Sequence, residues 1–291
     1  MSTDKKVALI TGCSSGGLGA ALAIALHKAG YRVIATARNT SKLEQTRSAG
    51  IEDLELDVLS PASISTCVQN LEALTGRLDL LINNAGAGYN MPMVDVDLEE
   101  VRNVFDLNVF SLIGVTRAFL PLLLKSKDAK IANNISVGSH LGVPFIGTYT
   151  SSKAAANMIT ETMRLELSPF GIRVVALMTG TVKSNFFENS KSGEVVRREL
   201  PEDSIYRIVP NGLKMMRDPE ALVMSGAVDA HVWAGQVVGD LSRANPPYQI
   251  WRGTNASMAR VACHFPVGLF DKQVKRSAGL NELELAIRTA S

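Results

Sequence analysis

Cysteine and histidine are both scarce in this chain. The three cysteines, Cys13, Cys67 and Cys263, are an odd number without metal-ligand spacing. That argues against a disulfide framework and fits a reducing, cytosolic setting. The four histidines are scattered and form no HExxH pair, so no metal site is expected. No block of like charge stands out: the formal net charge is +2, with both signs interspersed. Nucleic acid is therefore not an expected partner. No apolar run approaches the roughly 20 residues of a membrane span. The polar start, Met1 to Lys6, does not read as a signal peptide. No linker rich in Pro, Gly or Ser divides the chain, and no internal repeat is evident.

What is present is apolar material, 46% of 291 residues. That argues against disorder and suits one large α/β domain with a substantial core. Lys6 to Thr11 is a short apolar run, a buried strand by length and composition. Gly12-Cys-Ser-Ser-Gly16-Gly17-Leu18-Gly19 follows, then an Ala/Leu-rich helix closed by Gly30. Strand, glycine loop, helix is the context in which backbone can approach a pyrophosphate at a helix N-terminus. An ordinary strand-to-helix turn is the plain alternative.

Arg32 to Ala37 reads as the second strand and ends in Arg38, with no carboxylate for a ribose 2′-OH. An arginine there can pair with a 2′-phosphate, which points to NADP(H); a solvated strand-end arginine is the bland reading. Further strands are expected at Glu52 to Asp57, Leu78 to Ile82, Lys130 to Ser136, Arg173 to Met178 and Tyr248 to Trp251. Helices lie between most of them, including one from Leu98 to Leu124 with Asn108 in its middle. Alternating β and α predicts one doubly wound Rossmann domain, about seven parallel strands with helices on both faces.

Residues 183–217 lose periodicity and read as a substrate loop or lid, followed by a helix starting at Asp218-Pro219. The domain is expected to span 1–254. The tail, 255–291, carries an apolar patch, Val261 to Phe270, followed by Lys272, Lys275 and Arg276. Packing on the domain or a subunit contact is expected for it, with a weak peripheral membrane contact as the alternative.

Tyr149-Thr-Ser-Ser-Lys153 opens a helix-like run. Four residues apart means one turn apart on one face. A nearby ammonium favours the phenolate and makes the tyrosine a better acid near neutral pH.

Together these residues resemble the short-chain dehydrogenase/reductases over roughly residues 6–254. The motifs are Thr11-Gly12 with Gly16 and Gly19, Asp57-Val58, Asn83-Asn84-Ala85-Gly86, Asn108-Val109, Ser136, and Tyr149-x-x-x-Lys153. There are two departures. The glycine loop has one extra residue, and the usual Pro-Gly after the sixth strand is Thr179-Gly180, which is expected to loosen a turn. Within the family the chain is similar to a fungal branch near 1-acyldihydroxyacetone-phosphate reductases and secondary-metabolite ketoreductases.

The resemblance implies an NADPH-dependent oxidoreductase that reduces a ketone or aldehyde to an alcohol. Tyr149 is then the proton donor, Ser136 a hydrogen-bond donor to the carbonyl oxygen, Lys153 the pKa-lowering partner, and Asn108 the holder of a relay water. The cofactor set is Gly12, Ser14, Ser15, Gly16, Gly17, Leu18, Gly19, Arg38, Asp57, Val58, Asn84, Ala85, Gly86, Tyr149, Lys153, Gly180, Val182 and Ser184. His140, Val143, Phe145, Phe186 and Phe187 are expected to shape an apolar pocket, to which Ile205, Met215 and Met216 add. The substrate is an acyl ketone such as 1-acyl-dihydroxyacetone phosphate, or a secondary-metabolite ketone. A non-redox step on the same fold and a non-catalytic dinucleotide-binding protein are the rival readings. The resemblance also implies a cytoplasmic homodimer or homotetramer, with peripheral lipid-droplet or endoplasmic-reticulum association in that branch. A lipase is not supported, because Ser139 lacks the G-x-S-x-G frame.

Overall fold

The seven strands of the main sheet form close to where the sequence places them, six on apolar runs and β3 on the polar edge segment Glu52–Glu55. The computed structural model describes residues 5–185, 199–208 and 226–290. In chain order, β1 (Val7–Ile10), β2 (Arg32–Ala37), β3 (Glu52–Glu55), β4 (Leu80–Asn83), β5 (Lys130–Asn134), β6 (Arg173–Thr179) and β9 (Gln249–Arg252) make one sheet. Its order is β3-β2-β1-β4-β5-β6-β9, parallel throughout. β7 (Val182–Lys183) and β8 (Val228–Asp229) form a separate two-stranded ribbon that the sequence does not announce.

Helices cover both faces, as buried parallel strands require. On one, Leu22 and Leu26 of α1 (Leu18–Lys28) meet Trp233 and Val237 of α7 (Ala230–Leu241) over Ile10 and Ala35. On the other, Leu71 of α3 (Pro61–Thr75) and Phe119 of α5 (Ser111–Leu123) meet over Leu9, Ile34 and Leu81. Local chemistry sets the ends of these elements. Ser60 caps α3 by accepting from the Ser63 N–H, Pro61 occupies its first turn, and Gly76 closes it in the left-handed region. A short α2 (Glu44–Ser48) follows β2, and α6 (Gly147–Glu166) follows β5.

The helix predicted from Leu98 to Leu124 is not one regular helix. It is α4 (Leu98–Phe105), a π turn at Asp106–Phe110 and then α5. At 26 residues it is also long and apolar enough to cross a bilayer. This corrects the scan for uninterrupted apolar runs, which Glu99, Glu100, Arg102 and Asp106 break. Half of the apolar stretch is buried against the sheet and α3.

The tail packs on the domain. Ala256 and Ala259 join Trp251 and Met178, while Ala278, Leu280 and Leu283 close around Phe145 and Tyr206. Phe186, Phe187, Met215, Met216, the helix start at Asp218 and most of the 183–217 segment lie outside the described residues.

Candidate active site

β1 lies where the strand order reverses: its neighbours β2 and β4 lead away in opposite directions. Ligands bind at the carboxyl edge of such a switch point. A cleft of about 460 Å³ opens there, lined by the glycine loop, the ends of β2, β4, β5 and β6, and the start of α6.

The extra residue of the glycine loop has a structural cause. Gly12, Ser14, Gly17 and Leu18 line the cleft, whereas Ser15, Gly16 and Gly19 do not. Ser15 donates its hydroxyl to the Lys42 carbonyl at 3.0 Å, and the Gly16 N–H donates to Gln45 Oε1 at 2.9 Å. Gly16 sits at φ +76°, where a Cβ would come within 2.4 Å of Asn185 Nδ2. Its carbonyl accepts from the Asn185 N–H at 3.1 Å. Gly16 thus turns onto Asn185 in the turn after β7, and Gly17 is the middle glycine that faces the cleft. Gly19 packs against backbone: a Cβ there would lie 2.4 Å from the Gly12 carbonyl oxygen.

These residues fit a dinucleotide. Gly17 caps α1 with extended backbone and no side chain, so no side chain takes up the first-turn N–H groups. Such a terminus favours an anion. Arg38 lines the far lip and Lys42, which the sequence reading missed, lines it too. Lys42 sits in the 3₁₀ turn Thr40–Leu43, which Asn39 starts by accepting from the Ser41 N–H. Asp57 and Val58 line the same end. One Asp57 oxygen accepts from the Leu59 N–H at 3.0 Å.

At the other end stand the catalytic candidates. Ser136 lies two residues past β5, at the start of the 3₁₀ turn Val137–His140, and is buried. Its Oγ accepts from the Gly138 N–H at 3.1 Å, and it is hydrogen-bonded to the Tyr149 phenol. Burial pushes that phenol above its usual pKa, and the Ser136 bond opposes the rise. Lys153 is one turn further along α6, its Nζ 6.0 Å from the Tyr149 ring centre and 2.8 Å from the Asn134 carbonyl oxygen it donates to. Burial pulls the lysine down to about 8. In this geometry the tyrosine's pKa is set by burial and Ser136, so the expected lowering by Lys153 is not what the structure displays.

Asn108 lies on the π turn, buried, and does not line the cleft. Its Nδ2 donates to the Ala87 carbonyl and to Ser152 Oγ, and its Oδ1 accepts from the Ala87 N–H, all at 2.9 Å. A Cβ on Gly86 would sit 3.0 Å from that Oδ1 and 3.4 Å from Lys153 Nζ. The asparagine side chain is a strut between the β4 loop and α6.

Ala85, Gly86, Asn84, Gly180, Val182 and Ser184 all line the cleft, as does Val143 among the residues assigned to substrate. His140 and Phe145 do not. His140 is exposed and tilts against Trp251 with ring centres 5.8 Å apart, and Phe145 is buried against Tyr206. Val137, Leu141 and Ile146 take their place on the apolar wall. Alternation of buried and open positions in a loop carries no periodic signal, so the sequence could not sort these apart.

Residues 6–195 match the family described as short chain dehydrogenase. The chain belongs to this family. It is 42% identical over 290 residues to a short-chain dehydrogenase/reductase of Pestalotiopsis microspora, with all of both chains covered. It is 35% identical over 278 residues to an NADPH-dependent 1-acyldihydroxyacetone phosphate reductase of Schizosaccharomyces pombe, covering 93% of each. Among solved structures, a short-chain dehydrogenase from Streptomyces avermitilis superposes with a TM-score of 0.75 at 28% identity, over the full length of both chains. This short-chain dehydrogenase is accordingly an oxidoreductase of a family that binds a nicotinamide dinucleotide.

Proposed function

We propose that this short-chain dehydrogenase uses NADPH to reduce an apolar ketone to the alcohol, with Tyr149 as proton donor. The observation that carries the reading is the hydrogen-bonded Ser136–Tyr149 pair beside Lys153, in one cleft with the glycine loop. When bound, the dinucleotide supplies the hydride. Arg38 and Lys42 on the far lip favour a 2′-phosphate over a bare ribose hydroxyl, and the relative from Schizosaccharomyces pombe is NADPH-dependent by name.

The chain's own work is orientation and proton supply. The phenol of Tyr149 is raised by burial, so it stays protonated at neutral pH and has a proton to give to the carbonyl oxygen. Ser136 Oγ accepts from Gly138, which leaves its own hydrogen to stabilise charge growing on that oxygen. Lys153, held by the Asn134 carbonyl, keeps a positive charge beside the phenol below about pH 8. Asn108 fixes the Gly86–Ala87 backbone against α6. Val137, Leu141, Val143 and Ile146 give the substrate an apolar wall, which suits a long acyl ketone such as 1-acyl-dihydroxyacetone phosphate, or a secondary-metabolite ketone.

NADPH oxidation measured against acyl-ketone phosphates and polyketide-like ketones tests this. Turnover with either class supports the reading and names the class. Product formation without NADPH consumption, or no turnover across both classes, would sink it.

A further inference from the structure

The residue that stands where the family has proline is joined to the glycine loop. Thr179 Oγ1 donates to Asn134 Oδ1 at 2.6 Å. Asn134 Nδ2 donates to Asn84 Oδ1 at 2.9 Å. Asn84 Nδ2 donates to the carbonyls of Thr11 at 2.9 Å and Gly12 at 3.1 Å. The line crosses the carboxyl ends of four adjacent strands, β6, β5, β4 and β1. Thr179, Asn134, Asn84 and Gly12 all line the cleft, so the line is its floor.

The direction of every bond in this line is dictated from one end. The Thr11 and Gly12 carbonyls can only accept, so Asn84 must turn its amide nitrogen to them and its oxygen to Asn134. Asn134 must then offer its nitrogen to Asn84 and its oxygen to position 179. Only a donor at 179 completes the line. The threonine hydroxyl has one hydrogen, and the 2.6 Å contact to Asn134 outcompetes its 3.4 Å contact to the Leu177 carbonyl. A proline or valine there would leave a part-buried acceptor without its donor. The Asn134 main-chain carbonyl is also the anchor of Lys153 Nζ. The same residue therefore ties the catalytic lysine to the loop at the pyrophosphate end.

We propose that Thr179 is a positioning residue. It acts through Asn134 and Asn84 to hold the glycine loop at a fixed distance from Lys153, and affinity for the dinucleotide depends on its hydroxyl. The expected loosening of this turn by loss of the proline is thus replaced by a bond that tightens it. The proposal rests on the cleft binding NADP(H), as the proposed function requires.

The test is calorimetric titration of the intact protein with NADP⁺, without any carbonyl substrate. Thr179→Val keeps the shape and removes the donor, and it is expected to weaken binding roughly fivefold or more. Thr179→Ser keeps the donor and is expected to stay within about twofold of wild type. Asn84→Ala breaks the line elsewhere, so adding it to Thr179→Val should weaken binding by clearly less than the product of the single effects. Should Thr179→Val fold poorly, Asn134→Leu removes both central bonds and is expected to weaken binding to the same degree. A residue with a purely structural role would lower the melting temperature and leave the dissociation constant alone. Wild-type affinity in Thr179→Val, or in Asn134→Leu where that variant is used, overturns the proposal. So do independent, multiplying effects in the double variant. Wild-type protein that binds no NADP⁺ would remove the functional reading first, and this proposal with it.

Discussion

Ser136 Oγ accepts a hydrogen bond from the Gly138 N–H and is bonded to the Tyr149 phenol as well. The backbone bond uses one of the serine's two lone pairs and leaves its hydrogen for the phenol or for a substrate oxygen. Two groups then converge on one point, one positioned to stabilise negative charge on an oxygen and one with a proton to give. Tyr149→Phe removes the proton and leaves the ring. Turnover is expected to fall by about 10²- to 10⁴-fold, with NADPH affinity within about twofold of wild type. Stopped-flow turnover and fluorescence titration check the two halves separately. Retained turnover would take the acid role from Tyr149.

Arg38 and Lys42 share the lip of the cleft, and both are exposed. Neither has a carboxylate partner among the described ion pairs, so each is available for a ligand's charge. Arg38→Asp is expected to weaken NADPH binding by roughly tenfold or more while leaving NADH within a fewfold. Lys42→Ala is expected to do less, because a flexible ammonium makes a point contact where a guanidinium makes a fork. Equal NADPH affinity in wild type and Arg38→Asp would show that the 2′-phosphate is bound elsewhere.

Burial places the Lys153 ammonium at a disadvantage, with its pKa drawn from 10.5 to about 8. The unfolded chain therefore holds this proton more tightly than the folded one. Below about pH 8 the lysine is charged in both states, and its burial costs about 3 kcal/mol. As pH rises from 8 toward 10.5 the folded form sheds the proton first, so this contribution to stability rises with pH. Lys153→Met has no such group. Urea melts at pH 7 and pH 9.5 are expected to show wild type gaining roughly 2 kcal/mol on the variant between the two. The Tyr149 shift acts only above that phenol's ordinary 10.0, outside the window. A gap independent of pH would mean that the lysine is not desolvated.

The legible part of this molecule was the part with periodicity or fixed spacing. Apolar runs such as Val7–Ile10 mark buried strands, because a strand covered on both faces has little room for polar residues. Ser136, Tyr149 and Lys153 were legible because a strand end and one helical turn fix their relative places. What stayed hidden depends on contacts between distant segments. Lys42 looks like any solvated lysine until the turn after Asn39 brings it beside Arg38. Asn133 and Asn134 are adjacent and chemically identical. Yet Asn133 faces the core, bonded to Asn83 and Thr160, while Asn134 faces the cleft. Only the strand's pleat decides which is which. The resemblance puts His140 and Phe145 at the pocket by position, and the loop between β5 and α6 turns both elsewhere.

Asn108 fills three hydrogen bonds with one amide, two to Ala87 and one to Ser152. Ser152 has spent its own hydrogen on the Tyr149 carbonyl at 2.7 Å, so it can only accept from the asparagine. The amide is thus the one side chain of this size that suits all three partners, and an asparagine in a helix, otherwise mildly unfavourable, has its cause. Asn108→Ala leaves the part-buried Ala87 N–H and carbonyl and the buried Ser152 oxygen short of partners. A loss of about 2–4 kcal/mol is expected, since each stranded group costs roughly 1–3 kcal/mol and water relieves part of it. Asn108→Asp keeps the acceptor for the Ala87 N–H but sets a carboxylate against the Ala87 carbonyl, and its loss should be at least as large. Because the strut holds Gly86 beside Lys153, kcat should fall along with stability in both variants. Denaturant midpoints and steady-state rates on the soluble variants decide it. Asn108→Ala with wild-type stability would mean that the π turn is held by its backbone alone.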